Sequence, residues 1–512
     1  MEDPASPEPA RTINMRTIAL PITGFLCLVL THSGHAQARP ILGAPATPSS
    51  LLEQGFDPAL LDEAFTAWSA YKLDPRAVRA AVAQRAGETS ITLALGNAHI
   101  WRLDLWRNGL IAPDYVSLAA TDGGIIERPR IEPFTYSGRL SDVSGSWARF
   151  SIREDELLGS VSYGDLEYMI EPLRHFDPAA PMDLFVVYRV EDMIAGSGVE
   201  CGNSGIAELV DGYDLGAPKD ITACQTARIA LAADYSFVSW RGGVAAAETR
   251  MIDLLNIVDG RFMDPRIEIS HLLVATFLST STANDRWDPT TDASTLLDSF
   301  RWWGNNGGFG GGAQFSVASL WTRRNISSGG STGVIGMAYV GGACGSDRFN
   351  INQHSTTSTG LPSVCQTHEI GHNWNAQHAT GCNSTCIMAA SISANNTQWD
   401  NTTISSINGH KSRVSCLINN CGVGIHEPGW KMDLAVYPNP SDGRFLVEWA
   451  VDRGGRPVRM ELLNATGQRV RDEGITGRDR LVLDFDGGPG MYLLRMLDRN
   501  DNVIGTHRLV RY

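Results

Sequence analysis

The sequence predicts a multidomain chain. A strand-rich region comes first, then an α/β domain with a mixed twisted sheet and one functional helix, and finally a small β-sandwich. Two observations lead there. At 512 residues the chain exceeds one ordinary domain. Its apolar pattern is mainly strand-like to about residue 220, alternates between strand and helix to about residue 421, and is strand-like again from 431. Hydrophobic residues make up 43% and charged residues 19%, a soluble globular balance and not a disordered one.

Residues 1–38 read as a secretory signal. Arg11 and Arg16 precede an apolar run from Ile18 to Leu30 that is too short and too interrupted for a comfortable membrane span. Small residues allow cleavage after Ala36 or Ala38, and Met15 is a possible true start. The mature chain then has no transmembrane span. Forty-two basic against 56 acidic residues give a net charge of -14, which argues against a nucleic-acid partner.

Export permits disulfides. Cys27 leaves with the signal, and six of the eight remaining cysteines lie between Cys344 and Cys421. Cys382 and Cys386 are close enough to close a small loop, while Cys344, Cys365, Cys416 and Cys421 allow three pairings.

Residues 39–224 form the first region. Helical patterns at Leu51 to Tyr71 and Pro75 to Arg85 are followed by short alternating segments such as Ser90 to Leu95 and Trp101 to Trp106.

Residues 225–421 alternate strand and helix. Strands are expected at Arg228 to Tyr235, Ile269 to Leu278, Phe315 to Trp321 and Val334 to Val340, with helices at Ala245 to Met263 and Ala293 to Trp303. The Gly-rich run Gly304 to Gly312 has no lysine and no P-loop spacing, so it reads as a surface loop.

The chemistry concentrates at His368-Glu369-Ile370-Gly371-His372-Asn373-Trp374-Asn375-Ala376-Gln377-His378. On a helix His368 and His372 stand one turn apart on one face, with Glu369 beside them. His378 reaches the same ion only if the chain reverses after the helix. Asn375 suits that bend, because Asn tolerates the left-handed conformation that ends helices. Three neutral imidazoles and a carboxylate are what a zinc ion and a general base require.

Residues 422–430 read as a linker. Beyond it, 431–512 carries strand patterns at Phe445 to Trp449, Met460 to Leu463, Leu481 to Phe485, Met491 to Met496 and Val503 to Val510, the pattern of a β-sandwich.

The His368 to His378 motif, followed by Cys386-Ile387-Met388, resembles the metzincin metalloproteases, whose pattern is HExxHxxGxxH with a downstream methionine turn. Two positions depart from it: Asn375 replaces the usual glycine, and Ala379 follows the last histidine where the adamalysin branch has aspartate. Gly336-Met337-Ala338-Tyr339-Val340-Gly341-Gly342-Ala343-Cys344 is similar to the edge strand of adamalysin (reprolysin) catalytic domains. Tyr136-Ser137-Gly138, Trp147 to Ser151, Leu158 to Val161 and Tyr168 to Pro172 resemble the propeptide of that branch. Tyr437-Pro438-Asn439-Pro440-Ser441-Asp442-Gly443-Arg444-Phe445, with Gly490 to Leu493, resembles the C-terminal sorting domain of type IX secretion.

The resemblance implies a secreted zinc endopeptidase made as a latent precursor. His368, His372 and His378 would hold the zinc, Glu369 would act as general base, and Met388 would form an apolar floor. Gly336, Met337, Ala338 and Tyr339 would pair with an extended peptide substrate, and residues 431–512 would engage the secretion machinery. The alternative for residues 334–340 is an interior strand packed on both faces. Cys201 would be a cysteine switch filling the fourth zinc position; equally, it would pair with Cys224. Calcium is a second possible ion at Asp285, Asp288 and Asp292, without EF-hand spacing and with no ligand assigned. A surface binding or adhesion protein that keeps the fold without turnover is the competing reading, and intact Glu369 speaks against it.

Overall fold

The computed structural model describes residues 40–83, 88–194, 199–203, 224–310, 312–382, 385–418, 434–449, 457–464, 468–477, 480–497 and 503–512. The expected signal segment with Cys27, the linker 422–430 and Cys421 lie outside the described residues.

The N-terminal region closes a barrel. Its strands run in the spatial order Ile41–Ala46, Ser69–Lys72, Leu184–Arg189, Leu166–Pro172, Leu157–Tyr163, Trp147–Ile152, Thr135–Leu140, His99–Arg107 and Thr89–Leu95. Closure comes from parallel pairing of the first with the last, Ile41 opposite Leu93. Alternate residues Ile91, Leu93 and Leu95 turn inward against Leu103, Leu105 and Phe150, the period-two burial of a half-buried strand. The helix expected across Leu51 to Tyr71 is instead two short helices, Pro48–Glu53 and Ala59–Asp62, and the barrel strand Ser69–Lys72. Gly55 at φ 83° and the following Pro58 stop the first helix, since glycine permits the left-handed turn and proline withholds an N–H.

An eight-stranded mixed sheet forms the centre. In chain order its strands are β1 (Ile111–Thr121), β2 (Gly124–Arg128), β3 (Glu200–Cys201), β4 (Gln225–Ala233), β5 (Ile269–Ser279), β6 (Val317–Thr322), β7 (Val334–Ala338) and β8 (Phe349–Gln353). In space they run β3-β7-β8-β6-β4-β5-β1-β2. The expected strand at Arg228 to Tyr235 ends at Ala233, because the Asp234 carboxylate caps the next helix by accepting from the Phe237 N–H at 3.0 Å. No apolar run announces β8, whose Asn350 and Asn352 are fully buried.

The sheet does not respect the boundary drawn at residue 224. Strands β1 and β2 at one edge and β3 at the other come from the N-terminal region. Segment 39–224 is therefore not a self-contained structural unit.

Three helices matter for the site: α1 (Val244–Phe262), α2 (Ala293–Asn305) and α3 (Gly360–Asn373). The barrel docks on α1 through buried ion pairs, Arg149 to Asp259 at 3.0 Å and Arg261 to Glu167 at 2.7 Å. It docks on α3 through an apolar cluster that joins Phe65, Tyr188 and Met193 to Leu361, Val364 and Cys365.

The acidic residues considered for calcium have other partners. Asp285 pairs with Arg324 at 2.7 Å, Asp292 caps α2 by accepting from the Thr295 N–H at 2.8 Å, and the Asp288 N–H donates to Ser299. Nothing supports calcium there.

The C-terminal region has two antiparallel sheets. One contains Leu434–Tyr437, Arg444–Trp449 and Arg480–Asp484; the other contains Arg469–Gly474, Arg459–Asn464, Gly490–Leu497 and Val503–Arg511. Phe445, Val447 and Leu483 of the first share one core with Met460, Leu494 and Leu509 of the second. Among the described residues no helix is long and apolar enough to cross a membrane.

Candidate metal centre

Helix α3 carries the first two histidines and ends where the sequence demands a turn. Asn375 adopts φ 72°, and the Ala376 N–H reaches back to the Gly371 carbonyl at 3.0 Å, closing a left-handed helix terminus. The reversal brings His378 to the other two rings. Ring centroids are 4.6 Å apart for His368 and His372, 5.3 Å for His368 and His378, and 4.9 Å for His372 and His378.

Each helical imidazole is held by its far nitrogen. Nδ1 of His368 lies 2.6 Å from the Ile387 carbonyl and Nδ1 of His372 lies 2.7 Å from the Ala376 carbonyl. Those contacts require Nδ1–H, which leaves Nε2 as the lone-pair nitrogen. Nε2 of His368 and of His378 is buried and meets no hydrogen-bond partner. Burial holds His368 down to about 3, drives His372 well below the ordinary histidine range and lowers His378 too. The rings are neutral, the ligating form.

Cys201 completes the cluster. Its sulfur and one nitrogen from each histidine all lie within 4.8 Å of one another, and Sγ is 3.5 Å from Nε2 of His372. Cys201 is a free thiol and Cys224 is disulfide-bonded, so the Cys201–Cys224 pair does not form. Buried Cys365 is also a free thiol and takes no part in the pairings expected among Cys344, Cys365, Cys416 and Cys421. Cys382 bonds Cys386, and Cys344 bonds Cys416.

The segment around Cys201 is threaded through a slot. The Glu200 and Gly202 N–H groups donate to Gly333 and Gly336 carbonyls of the β7 side at 2.9 Å each, while Cys201 N–H donates to Ala390 at 3.1 Å. Because β3 covers the free side of β7, Gly336, Met337 and Ala338 lie inside the sheet, and buried Tyr339 follows the strand. A Cβ on Gly202 would come within 2.5 Å of the Met337 methyl, so a larger residue there would require that side chain to shift.

Glu369 is fully buried, and neither carboxylate oxygen accepts a hydrogen bond. Burial raises its pKa to about 8, with the Cys201 thiol acting in the opposite sense. Room for it comes from Gly336, where a Cβ would stand 2.3 Å from Oε1. Sequence reading assigned Gly336 to substrate pairing and did not anticipate this fit; no local signal links residues so far apart in the chain.

Met388 is fully buried beneath the helix, and a Cβ on Gly371 would meet its sulfur at 2.6 Å. Asn373 at the helix end donates to the Tyr339 and Phe349 carbonyls, both at 3.0 Å, tying α3 to the strand ends. This anchor too lies outside the sequence motif.

A four-coordinate metal bound through nitrogen and sulfur fits this donor set, since the orphaned Nε2 atoms are buried, neutral and convergent. Residues 224–400 match Metallo-peptidase family M12 (Reprolysin_5), and residues 435–510 match the Secretion system C-terminal sorting domain. Among solved structures, the crystal structure of metalloproteinase-II from Bacteroides fragilis is similar at 14% identity and TM-score 0.39, covering 66% of this chain and 96% of its own. The sorting domain marks export by type IX secretion to the cell surface or the medium. Residues 224–400 are thus similar to the reprolysin-like metallopeptidases of family M12, and residues 435–510 to a secretion-system sorting domain.

Proposed function

We propose that the chain is a zinc-dependent endopeptidase exported as a latent precursor, with His368, His372 and His378 as ligands and Glu369 as general base. The observation that carries this is the convergence of three imidazoles with the Cys201 thiol, together with the buried Glu369 carboxylate that neighbours the same thiol.

Zinc held there supplies Lewis acidity, polarising a scissile carbonyl and making water a better proton donor. The remaining work falls to the chain. Glu369 accepts the proton of the attacking water and returns it to the leaving nitrogen. A divalent ion held by the three neutral imidazoles would favour the carboxylate form of Glu369, the one able to accept. Ile387 and Ala376 carbonyls fix the imidazole tautomers.

Latency follows from β3. It occupies the side of β7 where an extended peptide would add as a strand, and its Cys201 would fill the fourth position of a metal held by the three histidines. Substrate binds Gly336 to Tyr339 once that strand has left.

The test compares chelator-sensitive cleavage of a denatured protein by the processed wild type and by Glu369→Ala. Loss of general-base catalysis costs about 10²–10⁴-fold in rate, while zinc content stays near that of the wild type. Equal activity in the two would exclude the mechanism, and inactivity in both would favour a binding protein.

A further inference from the structure

We propose that the β1–β2 pair, Ile111 to Arg128, is a permanent part of the catalytic sheet. Cutting the chain between Asn203 and Cys224 would then leave the N-terminal region bound as a noncovalent subunit, and unblocking the site would require only the short β3 strand to leave. The argument rests on the latency reading for the role of β3 alone.

Four observations carry it. First, β1 is the neighbour of β5 along most of its length, with Ile111 opposite Leu273 and Val116 to Ala120 opposite Ala275 to Ser279. Further bonds extend the ladder, from Leu273 N–H to the Leu110 carbonyl at 2.7 Å and from Thr280 N–H to the Ala120 carbonyl at 3.0 Å. Without β1, β5 would present a row of unpaired backbone groups.

Second, the strand's apolar side chains belong to the catalytic core and not to the barrel. Leu110, Ile111, Tyr115, Leu118 and Ala120 pack in one cluster with Leu255, Phe277 and Trp303, separate from the barrel interior.

Third, the strand pair satisfies a carboxylate buried on α1. Glu248 receives a hydrogen bond from the Tyr115 hydroxyl and an ion pair from Arg128, and it is only 2% exposed. Departure of the pair would remove its ion pair and the Tyr115 hydrogen bond and leave the buried carboxylate to the Thr276 hydroxyl at 3.1 Å, a costly state in a low-dielectric interior.

Fourth, β3 is built differently. It has two residues, one of them exposed, and hangs on backbone bonds at the sheet's opposite edge. The strand that blocks the site and the strand pair that completes the sheet are thus separable, one peripheral and short, the other long and part of the core.

The experiment uses the full chain as Glu369→Ala, to prevent self-digestion, with a recognition sequence for a site-specific protease inserted between Asn203 and Cys224. After cutting, gel filtration with mass spectrometry should recover both fragments in one peak that separates only in denaturant. Hydrogen exchange should leave the Leu273 to Thr280 amides protected. A folded C-terminal fragment eluting alone would overturn the proposal. A second variant, Leu118→Asp in β1, should lower the co-eluting fraction at least tenfold after cutting. Unchanged co-elution there would assign the association to barrel contacts and would also overturn it. Neither readout depends on peptidase activity, so failure here is distinct from failure of the endopeptidase reading.

Discussion

Sγ of Cys201 stands 3.5 Å from Nε2 of His372, although 171 positions separate them in the chain. The contact is buried, and backbone bonds on both sides of Cys201 hold it in place. Replacing the thiol tests what the contact does. Uncut Cys201→Ala precursor should cleave a quenched peptide at least about tenfold faster than uncut wild type, the equivalent of ~1.4 kcal/mol. Equal rates would remove Cys201 from the latency mechanism.

His378 is the proposed ligand delivered by a turn and not by the helix. His378→Ala should reduce copurifying zinc, measured by elemental analysis, from about one per chain toward none. Circular dichroism should change little, because α3 has its own terminus at Asn375. Full zinc content in the variant would place the metal elsewhere.

Gly336→Ala probes the space left for Glu369, the proposed general base. The added carbon would meet the Glu369 carboxylate at 2.3 Å, so the carboxylate must move. A shift of about 1 Å at a reacting group costs on the order of 10²-fold in rate. Initial rates of processed enzyme should fall by about that much with zinc content unchanged; wild-type kcat in the variant would disconnect Gly336 from Glu369.

Docking of the barrel on α1 has a defined acid limit. Burial alone would raise the Asp259 pKa, but the hydrogen bond to His271 and the charge of Arg149 outweigh it and hold the carboxyl below the usual range. Glu171 behaves alike, with His175, Arg250 and Thr359 overcoming its burial. A carboxyl depressed in the folded state contributes stability that is complete above its unfolded pKa, about 4, and is lost as pH falls through the folded value. The precursor's Tm should therefore drop below about pH 4. Asp259→Asn should lower Tm near neutrality and flatten that acid limb; an unaltered acid limb would show that Asp259 contributes nothing to it.

What was legible in the sequence obeys rules that act within a few residues. His368 and His372 share a helix face because the helix repeats every 3.6 residues, Asn375 turns the chain because its backbone tolerates positive φ, and Cys382 reaches Cys386 because four positions span a small loop. The broken helix at Gly55 belongs to the same class, and there the apolar period hid the local breakers.

Tertiary structure decided the rest. Strand alternation tells which face of a strand is buried and says nothing of which strand lies beside it. The passage of β1 and β2 into the catalytic sheet, the arrival of Cys201 at the histidines, the free thiol of Cys365 and the space Gly336 leaves for Glu369 are all partnerships across long stretches of chain. The sequence by itself determined the convergence of His368, His372 and His378 and the turn that unites them, because short-range backbone geometry suffices for both. What occupies the slot beside them, and what completes the sheet that carries them, was decided by non-local strand pairing and by packing into a shared core.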